Sequence, residues 1–286
     1  MLPDELVLMI IKKAADLDDT GHAIIVDVIP YISARFNRLA KDKSLWHGRV
    51  NIKIGPAHYS VGEKERKLRM VIRNHLGAWV KSLSLKTDKQ EHKPFFRSEE
   101  NQPAPRPTLT AEHMNAMAVK CPNLKKLHIS GWFEIVSMPA LEDPWNLEHL
   151  SLDALEINPG AFNDMAIQVS LPNLRIFEMF ECHTCTPKCK DIQREMIELP
   201  DMSNCEKLEK VILKLSDVLP AGPQYREIPE ETPFPKNLKT LRVLTYYYQY
   251  FPANLYKSTL ENCDVYVSRP RERCLSCGYL YDSSEE

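Results

Sequence analysis

The chain has 286 residues, a formal net charge of −2 and 43% hydrophobic residues, which is enough apolar material for a sizeable core. The near-neutral balance argues against a dedicated nucleic-acid or membrane protein. No apolar run approaches membrane-spanning length, because Ala23 to Val26 is already broken by Asp27. We therefore expect no nucleic-acid partner and no membrane partner.

The charge is unevenly distributed along the chain. Between Arg35 and Arg97 there are 16 Lys and Arg residues against 5 Asp and Glu residues. This basic segment could steer an acidic or phosphorylated partner, or it could be the solvated faces of surface helices. The sequence leaves both interpretations open.

The cysteines bear on the cellular compartment. The sequence does not open with a charged region followed by an apolar stretch, so we expect no secretory signal. The eight cysteines are then expected to be reduced thiols, in the cytoplasm, the nucleus or both.

The first 46 residues predict three short helices. The first follows Pro3, with Asp4 and Glu5 where the positive end of the helix dipole favours carboxylates. A second covers Ala23 to Ile29, Pro30 starts a third, and Ser44 caps a final turn. So few residues bury only part of their own apolar surface, which predicts that a partner covers the remainder.

Four short motifs in this segment resemble the F-box. They are Leu2-Pro3 with Glu5-Leu6, Ser33-x-Arg35-Phe36, Leu39-Ala40, and Ser44-Leu45-Trp46. The resemblance implies docking on the Skp adaptor of cullin-RING (SCF) ubiquitin ligases. The residues that would form the adaptor face or its support are Leu2, Pro3, Leu6, Ile10, Ile32, Phe36, Leu45 and Trp46. The alternative is a small helical cap that only seals a neighbouring domain.

A linking helix and a loop are predicted next. Val61 to Leu76 has the apolar spacing of an amphipathic helix, and Gly77 is expected to end it. The polar, proline-rich segment from Lys86 to Pro107 is expected to be an exposed insertion loop.

A six-residue pattern with apolar residues at its first, fourth and sixth places dominates the rest of the chain. This spacing is what a short strand needs when one of its faces is buried in a solenoid. The first places of its seven copies are Val80, Leu124, Leu147, Leu174, Leu208, Leu238 and, in a degenerate copy that continues with Cys263 and Val265, Leu260.

This array resembles the leucine-rich repeat, and an F-box followed by such repeats is a familiar arrangement. The predicted fold class is α/β, with a three-helix F-box before an irregular solenoid. Parallel strands would form the concave face, with helices and loops on the convex face. The predicted boundaries are 1–50 for the helical domain, 51–79 for the linker helix, 80–267 for the repeats with insertion loop 86–107, and 268–286 for the tail.

The residues between the buried positions should point to the concave face, because side chains alternate along a strand. Apolar side chains with a charged rim are the usual anatomy of a protein interface. The predicted substrate-binding residues are Lys126, His128, His149, Ser151, Ile176, Glu178, Phe180, Lys210, Ile212 and Arg242. The aromatic run from Tyr246 to Phe251 either adds contacts or packs under the last coil.

Two Cys-x-x-Cys pairs, at Cys182 and Cys185 and at Cys274 and Cys277, raise the possibility of zinc. Two intervening repeats separate the pairs, however, and Cys182 stands where leucine-rich repeats place a turn residue. We therefore expect no metal and no other cofactor. His128 and His149 lack an accompanying nucleophile in the sequence, so we also expect no catalytic activity.

Together the two resemblances imply a substrate-recognition subunit of an SCF-type ubiquitin ligase. Its partners would be a Skp-type adaptor, through it a cullin and a RING protein, and an unidentified substrate protein. The alternative is a leucine-rich-repeat scaffold or interaction protein without a ubiquitin role, and an enzyme or enzyme activator on the same coil ranks third.

Overall fold

A computed structural model describes much of the chain in separate ranges. They are residues 2–17, 22–54, 60–87, 107–131, 133–136, 144–153, 156–157, 171–180, 200–215, 234–245, 260 and 262–268. The helices in these ranges are α1 (Asp4–Leu17), α2 (Ala23–Asp27), α3 (Ile29–Ile32), α4 (Ala34–Ala40), α5 (Val61–Asn74) and α6 (Ala111–Lys120), with a 3-10 turn at Lys43–Trp46. None of these described helices is long and apolar enough to cross a bilayer.

The described strands form two parallel sheets. The larger contains β1 (Gly48–Lys53), β2 (Val80–Lys86), β4 (Lys126–Ser130), β6 (His149–Asp153), β8 (Ile176–Phe180), β9 (Lys210–Leu215), β10 (Thr240–Thr245) and β11 (Asp264–Ser268), in that spatial order. The smaller contains β3 (Thr108–Leu109), β5 (Glu134–Ile135) and β7 (Glu156–Ile157). The fold is therefore α/β with an eight-stranded parallel sheet among the described residues, which is compatible with a solenoid.

Two ladders of buried side chains run across the large sheet. Residues at the fourth place of the repeat pair with one another, as Leu83 does with Leu127, and so do those at the sixth place, as Leu85 does with Ile129. The ladder residues from β2 to β10 are Leu83, Leu127, Leu150, Phe177, Val211 and Leu241, and Leu85, Ile129, Leu152, Met179, Leu213 and Val243; each is at most 1% exposed. The predicted parallel strands are thus confirmed.

The last repeat is displaced from its predicted position. Leu241 pairs with Val265 and Val243 with Val267, whereas the pattern would pair Leu241 with Cys263. The displacement is two residues, so the same face of the strand still points inward, because side chains alternate with a period of two. Cys263 instead closes a turn by donating its N–H to the carbonyl of Leu260.

The large sheet begins earlier than the sequence predicts. Val50 and Ile52 in β1 pair with Leu83 and Leu85 and continue the two ladders. The predicted domain boundary at residue 50 therefore falls inside a strand. His47 occupies the place where the other repeats carry an aliphatic residue, and this substitution hides the copy.

The helical segment differs in detail from the predicted three helices. The helix expected to start at Pro30 is two short helices, because Ser33 adopts an extended conformation and its Oγ accepts the N–H of Phe36. The final turn is capped by Asp42, whose side chain accepts the N–H of Ser44, and not by Ser44 itself.

The linking helix α5 is close to its predicted extent. A capping box at Ser60 and Glu63 begins it, and its buried side chains include Leu68, Val71 and Ile72. Gly77 lies beyond its end and is not in the left-handed conformation of a glycine cap. Its role is clearance, since an added Cβ would overlap the ring of Trp79.

The described segments that connect the strands of the large sheet contain both helices and short strands. Of the described segments that connect its strands, two contain helices, α5 and α6, while β3, β5 and β7 are two-residue strands. Buried Leu109, Ile135 and Ile157 in these strands join the same hydrophobic core as the two ladders. The segment 88–106, within the predicted insertion loop, lies outside the described residues.

A buried aromatic junction connects the helical segment to the large sheet. Trp46 is 1% exposed, donates its indole N–H to the carbonyl of Ala40 at 2.9 Å, and stacks on His75 at 4.4 Å between ring centroids. His22 accepts the N–H of Asn51 on one ring nitrogen and lies 2.9 Å from the carbonyl of Leu45 with the other. The helices and the sheet are therefore held together by directed contacts as well as by apolar burial.

This junction predicts a pH-dependent stability. Burial, helped by the charge of Lys41, lowers the pKa of His75 from 6.5 to about 4. The unfolded chain therefore binds a proton more readily than the native state between these values, and stability is lost as pH falls from 6.5 towards 4. His75→Phe keeps the aromatic packing but removes the titration. Denaturation at pH 7 and pH 5 should show that the wild type loses about 2 kcal/mol more than the variant. Parallel losses would contradict this.

Candidate protein-interaction surfaces

Helix α1 carries two apolar stripes, and only one of them packs inside the chain. Val7, Ile11 and Ala15, spaced four residues apart, are at most 6% exposed. The second stripe faces outward, and its members are Leu2 (54% exposed), Leu6 (44%), Met9 (67%) and Ile10 (58%), with Leu2 just before the helix. Adjacent exposed aliphatic side chains on one helix are a mark of a contact surface.

The segment around α3 exposes further apolar side chains. Val28, Tyr31 and Ile32 are 50%, 82% and 55% exposed. Among the described residues, the exposed large hydrophobic side chains are concentrated in the first 32 positions; the others are Val119, Val136 and Tyr266. We call Leu2, Leu6, Met9, Ile10, Val28, Tyr31 and Ile32 the amino-terminal apolar surface.

An ionic clamp fixes the start of α1 against α4. The carboxylate of Asp4 lies 2.6 Å from Arg35 and 2.6 Å from Arg38, and Arg35 also donates to the carbonyl of Leu2 at 2.5 Å. The hydrogen bond from Arg35 holds the pKa of Asp4 below its usual value. The clamp therefore positions Leu2 and the stripe that follows it.

The structure separates the predicted adaptor residues into two groups. Leu2, Pro3, Leu6, Ile10 and Ile32 are exposed and Phe36 is half-buried. Leu45 and Trp46 are interior, so of the two roles that the sequence left open, contact or support, they have the second: they support the helices and the junction with the sheet. The sequence prediction also omitted three exposed residues, Met9, Val28 and Tyr31; of these, Met9 shares the helical spacing of Leu6 and Ile10.

The large sheet presents a second surface, which we call the outward face. All ten predicted substrate-binding residues lie on it, and the strand register arranges them in three rows. Lys126, His149, Ile176 and Lys210 are in the first row, His128, Ser151, Glu178, Ile212 and Arg242 are in the middle row, and Phe180 is in the third. Lys53 and Lys86 extend the third row, and Lys53 was not predicted because the pattern of β1 is hidden in the sequence.

Four polar side chains at the centre of this face form a connected chain. Nδ1 of His128 lies 3.0 Å from Oγ of Ser151, and Nε2 of His149 lies 2.9 Å from a carboxylate oxygen of Glu178. Hydrogen bonds from His149 and Ser151 lower the pKa of Glu178, and burial lowers that of His128. In this series of hydrogen bonds, no imidazole lies between Ser151 and the carboxylate of Glu178. The series therefore does not have the serine, histidine, carboxylate order of a catalytic triad.

The strands β8 to β10 alternate apolar side chains with charged or polar ones. Ile212 lies between Lys210 and Lys214 along its own strand and between Glu178 and Arg242 across the sheet. Ile176, Phe180 and Leu244 occupy the diagonal places and are half-buried. The face can therefore bind apolar and anionic groups side by side.

The structure describes some of the cysteines discussed in the sequence analysis and not others. Cys121 and Cys205 close turns at repeat boundaries, and burial raises the pKa of each thiol to about 11, which leaves them unreactive at neutral pH. Cys182, Cys185, Cys274 and Cys277 lie outside the described residues, as do Tyr246 to Phe251.

Comparison with known proteins does not assign this chain to a family. A scan against protein-family models gives no match, and a search of curated proteins also gives none. Membership of the F-box and leucine-rich-repeat families therefore stays a prediction drawn from the motifs.

The division between support and contact residues predicts that the same substitution, Leu to Ala, destabilises the protein to different extents at two positions. Leu45→Ala should reduce the free energy of unfolding by about 2–5 kcal/mol, since it leaves a cavity around a side chain that is 2% exposed. Leu6→Ala, at a side chain that is 44% exposed, should cost less than about 1 kcal/mol. Urea denaturation measures both values. Equal losses would show that Leu6 is part of the core.

Proposed function

We propose that this protein is the substrate-recognition subunit of an SCF-type ubiquitin ligase. Its amino-terminal apolar surface binds a Skp-type adaptor, and the outward face of its sheet binds a target protein. The adaptor in turn connects the chain to a cullin and a RING protein, which bring a charged conjugating enzyme to the target. The chain itself contributes proximity and orientation.

The observation that carries the proposal is the unpacked stripe on α1. Leu2 and Leu6 belong to the motifs that resemble the F-box, and Ile10 lies one helical turn after Leu6. All three are about half exposed although they are aliphatic. Burying an exposed aliphatic side chain completely contributes about 1.5–3 kcal/mol of favourable free energy. Covering the exposed parts of several such side chains can therefore stabilise a complex.

The junction at Trp46 supports the bridging role. Stacking on His75 and the ion pair between Lys67 and Asp27, at 2.5 Å, connect the helices that carry the apolar surface to α5 and the sheet. A target on the outward face would therefore have a defined position relative to the adaptor, which an enzyme that transfers ubiquitin to nearby lysines requires.

A scaffold without a ubiquitin role is the second candidate. It would use the outward face in the same way, but it leaves the apolar surface of α1 without a use. The two candidates are distinguished by whether an adaptor binds that surface.

The test is binding of a purified Skp-type adaptor to the full chain. Truncating Leu6 and Ile10 together to Ala removes two contacts of about 1 kcal/mol or more each, so affinity should fall at least tenfold. Val119→Ala is the matched control, because Val119 is 77% exposed but lies on α6. Isothermal calorimetry measures the affinities, and circular dichroism checks that each variant is folded.

Two results would overturn the proposal. One is absence of binding by the wild-type chain. The other is equal affinity for the double variant and the Val119→Ala control, which would place the adaptor elsewhere.

A further inference from the structure

The outward face carries more cationic than anionic side chains. Its described side chains include seven cations, Arg49, Lys53, Lys86, Lys126, Lys210, Lys214 and Arg242, and three carboxylates, Asp153, Glu178 and Asp264. The surplus of four positive charges contrasts with a net charge of −2 for the whole chain. The remainder of the chain therefore carries a net negative charge, and the outward face attracts anions.

Of the three carboxylates, Glu178 is the one closest to the middle of the face, and it is engaged within the sheet. It is hydrogen-bonded to His149 at 2.9 Å, and a further hydrogen bond from Ser151 helps to lower its pKa. Its charge is therefore held by neighbouring side chains, which reduces the repulsion that it would exert on an anionic ligand.

The face has two halves of different chemistry. On β2, β4 and β6, the side chains near the exposed amines of Lys86 and Lys126 are small and polar, namely Ser82, Ser84, Ser130 and Ser151. On β8 to β10, apolar Ile176, Phe180 and Ile212 lie among Lys210, Lys214 and Arg242. One half therefore suits acidic side chains and the other suits acidic and apolar side chains together.

We propose that the outward face binds an extended acidic peptide segment with interspersed apolar residues. The inference rests on the proposed function and names the class of target that the face would recognise. Eight strands about 4.8 Å apart span roughly 34 Å, which an extended chain crosses with about ten residues. Acidic residues contact the cations of β1, β2, β4, β9 and β10, and apolar residues pack on Ile176, Phe180 and Ile212.

A nucleic acid would also be attracted by a positive face, but the arrangement favours a peptide. Ile176 and Phe180 on β8 lie beside Lys210 and Lys214 on β9, and Ile212 lies between these two lysines and next to Arg242. These three side chains offer burial to apolar groups, which a phosphate backbone lacks.

The experiment uses the full chain and three fluorescein-labelled ten-residue peptides. One alternates Glu with Phe or Leu, the second replaces each Glu by Lys, and the third replaces each Phe and Leu by Ser. Fluorescence anisotropy should show the tightest binding for the first peptide, at least tenfold weaker binding for the third, and no binding for the second. Higher salt should weaken the first interaction.

Charge reversal locates the site. The triple variant Lys86→Glu, Lys126→Glu and Arg242→Glu should bind the first peptide at least tenfold more weakly than the wild type. The control variant reverses three exposed lysines away from this face, Lys120, Lys207 and Lys236, and should stay within twofold of the wild type. Both variants have the same net charge, so a nonspecific charge effect would lower both affinities equally.

Several outcomes would overturn the inference: no preference of the wild type for the acidic peptide, equal losses in the two triple variants, or tighter binding of a ten-nucleotide single-stranded RNA. The adaptor assay does not involve this face, so adaptor binding can succeed while peptide recognition fails, and the converse result is equally distinguishable.

Discussion

The constraint on which this structure depends is the register between neighbouring parallel strands. Two rows of aliphatic and aromatic side chains must meet across the sheet to be buried, as Leu127 and Ile129 do with their neighbours on both sides. A shift by one residue would turn the polar residues inward and the ladders outward. The same constraint therefore aligns the residues between the ladders and gives the outward face its three rows. The register between neighbouring strands thus determines both the packing of the core and the arrangement of side chains on the outward face.

The amino-terminal helices follow a different rule. Each is too short to be stable alone, so they depend on contacts with the sheet and with one another. Trp46, His22 and His75 supply those contacts in the interior, while the Asp4 clamp holds the start of α1. The helices are stabilised through one side only. The apolar residues on the other side of α1 stay at the surface. In the proposed function, the adaptor covers these residues.

Much of the sheet could be predicted from the sequence, because a six-residue pattern with buried first, fourth and sixth places leaves one strand register for each clear copy. The strands at the two ends of the sheet were harder to predict. β1 lacks an aliphatic residue at its first place, where His47 stands, and the last copy is displaced by two residues because Leu260 closes the previous turn and does not lead the strand.

The candidate surfaces were predictable to a lesser degree. Strand alternation predicted the outward residues correctly, but the contacts of Glu178 with His149 and of His128 with Ser151 come from different strands and appear only in the folded chain. In the helical segment, spacing identifies an apolar residue but not what covers it. Leu45 and Leu6 are equally apolar in sequence, yet one is interior and the other is at the surface.

Hydrogen–deuterium exchange of the full chain, with and without a saturating Skp-type adaptor, tests the central claim most directly. Peptides that cover Asp4–Leu17 and Ile29–Ile32 should become protected, and those from Lys126–Ser130 to Thr240–Thr245 should exchange as before. Unchanged exchange in the first helix, or protection confined to the sheet, would contradict the account.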